Sequence, residues 1–313
     1  MNRAPRPAPV APESQLLATT KGCLNSLIVG LNTLVVFSLM IPFALLKAVL
    51  RIAPARRLAD RVLNALASAW VRVNGWWIDA AQRIRWDIEG IDALAPRGWY
   101  LVSSNHQSWV DILVLQKVLL GHIPFLKFFL KRELIYVPVI GLAWWALDFP
   151  FMRRKGGYKS GKNDLAATRT ACERFKLVPT SVMNFLEGTR YTAHKHTTQR
   201  SPYRHLLKPR VGGLSVALAT MGEAFDCLLD VTIVYPRGVP VFWDILSGRL
   251  REVVVRVRQV SIPAEFLGRD YEADPGYRAG MQAWVGDMWA HKDDQIGRLL
   301  DQAAARETAN APA

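Results

Sequence analysis

The feature of this chain that most constrains its fold is a long stretch without a charged side chain, residues 22–46. It consists mainly of apolar residues, and a helix of about 20 such residues is long enough to span a bilayer. Basic residues follow at once, and the positive-inside rule places that end on the cytoplasmic side. Asn25, Asn32 and Pro42 keep a bent hairpin or re-entrant anchor open as an alternative. A secretory signal would have a shorter apolar core and a small-residue cleavage site.

Composition divides the chain into four segments. Residues 1–20 are rich in Pro and Ala and are expected to form a disordered tail. Residues 21–82 combine the apolar stretch with an amphipathic helix predicted over 58–82, which lies either on a membrane surface or against the globular body. Residues 83–302 are expected to form the globular domain, and residues 303–313 a flexible tail.

Strand and helix patterns alternate through the globular domain. Short runs of alternating or continuous apolar residues predict strands, and apolar residues at a spacing of three or four predict helices. Strands are expected over 84–88, 99–102, 181–186, 229–235 and 253–258, and helices over 112–120, 214–221 and 271–302. This order predicts an α/β fold.

The first segment with a catalytic pattern is Asn105-His106-Gln107-Ser108-Trp109-Val110-Asp111. Positions five apart lie about 140° apart on a straight helix. His106 is therefore expected before the first turn of the helix that follows, with Asp111 reaching back to it. Asp111 would then fix the imidazole tautomer and leave the other ring nitrogen free to take a proton. The alternative is a structural His beside a carboxylate that interacts with the helix dipole.

The second segment is Phe185-Leu186-Glu187-Gly188-Thr189-Arg190, at the end of a predicted strand. Gly188 would let the backbone approach a ligand closely, and Arg190 carries the planar guanidinium that binds phosphate with two hydrogen bonds. A base with an orienting carboxylate, together with an anion-binding group, suits acyl transfer to a phosphate-bearing alcohol. The alternative is a turn with a surface Glu–Arg pair that contributes little.

Together the two segments resemble the bacterial lysophosphatidic acid acyltransferases, a family of the glycerolipid acyltransferase superfamily. The first signature of that superfamily, NHxxxxD, matches at Asn105, His106 and Asp111. A further signature, FPEGTR, matches residues 185–190 except that Leu186 replaces the Pro.

Two more matches extend the resemblance. Residues 151–154 resemble the second motif of the family, with Arg154 as the matching basic residue and Arg153 as the fallback. Residues 187–213 resemble the pattern EGTRFTxxKH…LLxPRxxG, which is typical of the lysophosphatidate and lysocardiolipin acyltransferase branch. That branch includes inner-membrane enzymes of Gram-negative bacteria.

The resemblance implies the glycerolipid acyltransferase fold, a central mixed sheet flanked by helices, preceded by an N-terminal membrane-anchoring helical segment. It implies that His106 is the general base that removes the proton of the acceptor hydroxyl, and that Asp111 orients it. The residues that it assigns to substrate binding are Asn105, Arg154, Glu187, Gly188, Thr189 and Arg190.

The same resemblance implies the substrates and the location. The acceptor would be 1-acyl-glycerol-3-phosphate (lysophosphatidic acid), the product phosphatidic acid, and the donor a fatty acyl thioester of CoA or of acyl carrier protein. Neither a metal nor an organic cofactor is expected, and Cys23, Cys172 and Cys227 form no metal-binding pattern. The enzyme is expected at the inner membrane, in contact with phospholipids, with its catalytic domain on the cytoplasmic side.

Two alternatives remain. In the first, the enzyme acylates another lysophospholipid with a larger head group. In the second, the chain is a membrane-tethered nucleic-acid-binding protein without catalysis, which the net charge of +14 would suit. Because the basic residues are spread along the chain without a recognition-helix or aromatic-platform motif, no nucleic-acid partner is expected. The sequence makes no prediction of the oligomeric state.

Overall fold

Two long helices precede an α/β body in the computed structural model, which describes residues 12–49, 52–128, 130–137, 140–149, 151–152, 179–268 and 274–309. Helix α1 spans Pro12–Val49 and helix α2 spans Ala53–Ala81. Part of the tail predicted over residues 1–20 is therefore helical. Pro12 suits the first turn of a helix, and residues 13–20 contain neither Gly nor Pro that would interrupt it.

The body is built on a six-stranded sheet in the order β1-β8-β7-β2-β6-β3. Neighbouring strands are parallel except for the antiparallel pair of β7 and β8. The strands are β1 (Arg85–Glu89), β2 (Tyr100–Ser104), β3 (Leu126–Phe128), β6 (Ser181–Phe185), β7 (Cys227–Val234) and β8 (Glu252–Val260). Two short strands, β4 (Leu130–Lys131) and β5 (Phe151–Met152), pair separately. The predicted α/β class with a central mixed sheet is confirmed.

Helices cover both faces of the sheet. The remaining ones are α3 (Val110–Leu119), α4 (Ile140–Ala146), α5 (Ala193–Gln199), α6 (Gly212–Met221), α7 (Phe242–Leu246) and α8 (Pro275–Ala309). Short 3-10 turns lie at Arg132–Tyr136, Gly222–Ala224 and Ala264–Phe266. Helix α8 continues past residue 302, the predicted end of the globular domain, because the Ala-rich residues that follow favour helix.

The sheet separates two apolar cores, and strand β2 contributes side chains to both. Tyr100 and Val102 point into the core shared with α1 to α4, whereas Leu101 points into the core shared with α6 and α8. Alternate residues of a strand face opposite sides of a sheet. A strand that is buried on both faces places the end of β2, and the segment that follows it, at the centre of the molecule.

Helix α1 is the one described helix that is long and apolar enough to cross a membrane, over Gln15–Val49. At 100° per residue, its exposed apolar side chains fall within an arc of about 140°. They are Leu16, Leu17, Leu24, Leu27, Ile28, Leu31, Leu34, Val35, Leu39, Leu45, Leu46 and Val49. We call this set the outer face of α1.

The opposite face of α1 packs on the body at both ends. Asn25 donates its side-chain amide to the backbone oxygen of Leu246 in α7, at 2.7 Å. Lys47 donates to the backbone oxygen of Ala146 in α4, at 2.8 Å, and pairs with Asp148. These contacts lie about 33 Å apart along the helix axis, so α1 runs alongside the domain.

Candidate active site

His106 and Asp111 meet at the carboxyl end of β2. His106 lies in the loop after the strand, and Asp111 lies in the first turn of α3. The Nδ1 atom of His106 is 2.8 Å from Oδ2 of Asp111. Because a carboxylate only accepts hydrogen bonds, Nδ1 donates to it, and in the neutral imidazole Nε2 then has a free lone pair. Among the described residues, Nε2 has no hydrogen-bond partner, and the His106 side chain is 12% exposed.

Asp111 is completely buried, and four donors hold its carboxylate. Oδ2 also accepts the backbone N–H groups of Gln107, at 2.6 Å, and Ser108, at 2.8 Å. Oδ1 accepts the hydroxyl of Tyr235, at 2.6 Å. Burial raises the pKa of Tyr235 well above its ordinary value, with a further contribution from the Asp111 charge. The phenol therefore stays protonated and serves as a permanent donor.

Sequence reasoning missed Tyr235 as a member of this site. The sequence places this residue at the end of the strand predicted over 229–235, where residues 231–236 resemble a further motif of the family, but it assigns Tyr235 no contact with Asp111. Tyr235 follows β7, which is the neighbour of β2 in the sheet. No local pattern links two residues that are 124 positions apart.

Glu187 connects the second predicted segment to the first. Its Oε1 accepts the backbone N–H of His106, at 2.8 Å, and its Oε2 accepts the backbone N–H of Leu207, at 3.0 Å. Tyr191 donates its backbone N–H to the oxygen of His106, at 2.7 Å. The carboxyl is fully buried, and this burial raises the pKa of Glu187 from 4.5 to about 7. The backbone of His106 is thus held from both of its peptide groups.

Gly188 occupies a position that requires glycine. Its φ of +65° lies in the left-handed region, which other residues avoid. A Cβ atom at this position would also lie 3.2 Å from the Arg210 side chain. This turn directs the chain from Glu187, in the core, to Arg190, which is exposed.

Asn105 is buried between β2 and β7. Its amide nitrogen donates to the oxygen of Ile233, at 2.8 Å, and its amide oxygen accepts the N–H of Ile233, at 2.9 Å. The side chain thereby continues the hydrogen bonding of the sheet one residue past the strand. Asn105 and Glu187 are both predicted to bind substrate, and in the structure both side chains are buried and hydrogen-bonded to backbone groups.

The rings around His106 shape the approach to it. Phe185 stacks on the imidazole with a centroid distance of 3.9 Å and an interplanar angle of 15°. The guanidinium of Arg190 lies over the exposed ring of Trp109, 4.8 Å from its centroid. Lys195 donates to the Thr189 hydroxyl at 2.7 Å. The structure brings the predicted site residues that it describes to this region. Arg154 lies outside the described residues.

A metal site was not predicted. Within the described part of the chain, no three His, Cys, Asp or Glu residues are grouped so that they would hold a metal ion. The chemistry that this arrangement can perform is proton abstraction by His106 at Nε2, with Asp111 stabilising the imidazolium that forms.

Comparisons with known proteins identify the kind of domain that carries this site. Residues 85–237 match the family model Acyltransferase. The 1-acyl-sn-glycerol-3-phosphate acyltransferase 3 of Arabidopsis thaliana is 25% identical over 291 residues, which cover 88% of this chain and 72% of the relative. Lysocardiolipin acyltransferase 1 of Danio rerio is 23% identical over 263 residues, covering 78% of this chain and 63% of the relative.

A solved structure has the same fold. The crystal structure of the 1-acyl-sn-glycerophosphate (LPA) acyltransferase PlsC from Thermotoga maritima superposes with a TM-score of 0.50 at 16% sequence identity. The match covers 90% of this chain and 98% of that one. The predicted acyltransferase fold is confirmed, and residues 85–237 of this chain are an acyltransferase domain.

Proposed function

We propose that this acyltransferase moves a fatty acyl group from a thioester to the free hydroxyl of 1-acyl-glycerol-3-phosphate, producing phosphatidic acid. The observation that carries the proposal is the His106–Asp111 pair, with Nδ1 bound at 2.8 Å and Nε2 without a partner among the described residues. Relatives named as 1-acyl-sn-glycerol-3-phosphate acyltransferases support the choice of acceptor.

The proposed reaction needs one base and no covalent intermediate on the enzyme. Nε2 of His106 takes the proton of the acceptor hydroxyl as its oxygen attacks the thioester carbon, and a tetrahedral oxyanion forms. The C–S bond then breaks, the carbonyl reforms, and the leaving thiolate receives the proton from the imidazolium. The negative charge of Asp111 stabilises the imidazolium during both steps.

We assign Asn105 and Glu187 to positioning rather than to substrate binding. Asn105 fixes the end of β2 against Ile233, and Glu187 fixes the N–H of His106. Misplacement of a reacting group by about 1 Å costs on the order of 100-fold in rate. These two side chains therefore act through His106.

The phosphate of the acceptor is proposed to bind Arg190, with Gly188 and Thr189 in the same turn and Arg154 from the second motif. The contact of Arg190 with Trp109 holds its guanidinium beside the residues that follow His106. A planar guanidinium binds two phosphate oxygens at once.

The membrane contact is proposed to be the outer face of α1. Both ends of this helix bind the body, which supports a helix that lies in the interface over one that passes through the bilayer. We place the anchor within residues 21–82 and the catalytic domain within residues 83–302, at the cytoplasmic side of the inner membrane. The proposed donor is a fatty acyl group bound as a thioester to CoA or to acyl carrier protein.

Acceptor choice is tested by competition. The purified protein in detergent is given one acyl-CoA and an equimolar mixture of lysophosphatidic acid, lysophosphatidylglycerol and lysocardiolipin, and products are identified by mass spectrometry. Phosphatidic acid as the main product is expected. A main product with a larger head group favours the remodelling alternative, which the lysocardiolipin acyltransferase relatives motivate. No acylated product from any acceptor would refute the proposal.

A further inference from the structure

The loop between β7 and α7, together with the first residue of α7, exposes three apolar side chains next to the candidate active site. Val239 is 52% exposed, Val241 62% and Phe242 40%. A loop tip of this kind normally carries polar residues, and a cluster of exposed apolar side chains marks a surface that contacts something apolar. We call residues 239–242 the apolar loop.

The apolar loop is attached to the catalytic segment. The Ser108 hydroxyl donates to the backbone oxygen of Pro240, at 2.6 Å, and the N–H of Ser108 donates to Asp111. Tyr235, which also donates to Asp111, begins the connection from β7 to the loop. The apolar loop is therefore linked to the carboxylate that holds His106 in two ways, through the Ser108–Pro240 hydrogen bond and through Tyr235 in the preceding segment.

The helix that follows the apolar loop also packs against the body-facing side of α1. Trp243, the residue after the loop, packs on Gly22 of α1 so closely that a Cβ at Gly22 would lie 2.5 Å from its ring. Asn25 binds Leu246 in the same helix α7. The outer face of α1 has exposed Leu24 and Leu27 at this level of the helix.

We propose that the apolar loop inserts into the phospholipid interface beside α1 and so places His106 at the lipid surface. The inference rests on the proposed function, because a lysolipid acceptor resides in the bilayer. Through the Ser108–Pro240 contact, insertion at residues 239–242 sets the depth of the catalytic pair. The acceptor then presents its hydroxyl to Nε2 without leaving the membrane.

The variant Val239→Ser/Val241→Ser tests this idea without a folding penalty. Val241 is the N-cap residue of α7, and Ser is a better N-cap than Val. Ile52→Ser is the matched control, since Ile52 is also an exposed apolar N-cap, at the start of α2 and at the other end of α1. Neither site belongs to the catalytic or phosphate-binding residues.

Kinetics are measured on long-chain lysophosphatidic acid in phosphatidylglycerol–phosphatidylethanolamine vesicles and on a short-chain, monomeric lysophosphatidic acid. For the vesicle acceptor, KM is expressed as a mole fraction and only membrane-bound enzyme is counted. We expect this KM to rise about tenfold in the loop variant, because the partial burial of two Val side chains in the lipid is lost. KM for the monomeric acceptor should not change, and Ile52→Ser should leave both constants unchanged. An unchanged vesicle KM in the loop variant would overturn the proposal.

A binding measurement separates this proposal from the proposed function. Val241→Cys, in a background with Cys23, Cys172 and Cys227 changed to Ser, is labelled with an environment-sensitive NBD fluorophore. Emission should shift to the blue and be quenched by lipids spin-labelled near the head group when the same vesicles are added. An aqueous spectrum would refute insertion even if acyl transfer is intact. A blue shift without acyl transfer would refute the proposed function and keep the insertion.

Discussion

The charge of Asp111 can be separated from its shape by Asp111→Asn. An Asn side chain can keep its oxygen at the position of Oδ2, where it accepts from His106, Gln107 and Ser108, while its amide donates to the Tyr235 oxygen. The atomic positions of the site are therefore retained, while the negative charge beside the imidazole and the acceptor of the Tyr235 hydroxyl are lost.

The size of the effect follows from Coulomb's law. The Nδ1–Oδ2 distance of 2.8 Å puts the two charge centres about 4 Å apart. At an effective dielectric constant of about 20, this attraction is worth about 4 kcal/mol. One factor of ten in rate corresponds to about 1.4 kcal/mol, so we expect kcat/KM to fall about 1,000-fold.

Tyr235→Phe is the matched control, because it removes a hydroxyl from the same carboxylate and keeps the charge. Each variant leaves one buried polar group without a partner, which costs about 1–3 kcal/mol of stability. The two variants should lose similar amounts of stability in thermal unfolding. The rate of acyl transfer, followed as thiol release from acyl-CoA, should fall less than about tenfold for Tyr235→Phe. Equal activities of the two variants at equal stability would refute the electrostatic role of Asp111.

Three further predictions concern the surroundings of the site. Burial raises the pKa of Glu187 from 4.5 to about 7, so the folded state keeps a proton that the unfolded chain has released. The unfolding free energy should therefore fall by about 3 kcal/mol as pH rises through that window, and Glu187→Gln should remove this slope in urea titrations. Trp109→Ala should raise KM for lysophosphatidic acid about threefold at unchanged kcat, because a cation–π contact with Arg190 worth about 0.5–1 kcal/mol is lost, and Trp109→Phe should recover part of it. Changing three leucines on the outer face of α1 to Asp should release the protein from vesicles in flotation assays, and the leucines chosen are Leu27, Leu31 and Leu34. The control changes three exposed alanines of α8 to Asp and should leave the protein on the vesicles; these are Ala279, Ala290 and Ala304.

The parts of the site that the sequence predicted are local. His106 and Asp111 are five residues apart, so helix geometry alone limits how they can meet. The strand that precedes them could be predicted because its residues are apolar over a short run between turn signals. The glycine at Gly188 likewise follows from the local turn, which needs a positive φ.

The parts that the sequence did not predict depend on which strands are neighbours. Asn105 finds Ile233 and Asp111 finds Tyr235 only because β7 lies beside β2. Glu187 is predicted to bind substrate, and the sequence did not predict that its carboxyl accepts backbone N–H groups of residues 20 and 81 positions away. The polar side chains of a motif are equally compatible with binding a ligand and with holding the loop, and only the tertiary fold distinguishes these roles.

The orientation of α1 also depends on tertiary contacts that the sequence does not predict. Its length and charge-free composition predicted a membrane segment, and the helix is present. Its direction depends on contacts at Asn25 and Lys47 with distant parts of the body. Hydropathy treats all sides of a helix alike, so it does not reveal that the apolar outer face lies on one side only.

Thiol release tests the central claim, acyl transfer with His106 as the base, most directly. The purified protein and His106→Ala are compared in detergent with acyl-CoA, with and without lysophosphatidic acid, and free CoA is followed with a thiol reagent. The account predicts release that requires the acceptor and that His106→Ala reduces at least about 1,000-fold, with unfolding temperatures preserved. Acceptor-dependent release that persists in His106→Ala would contradict the account, since a group other than His106 would then remove the proton of the acceptor hydroxyl.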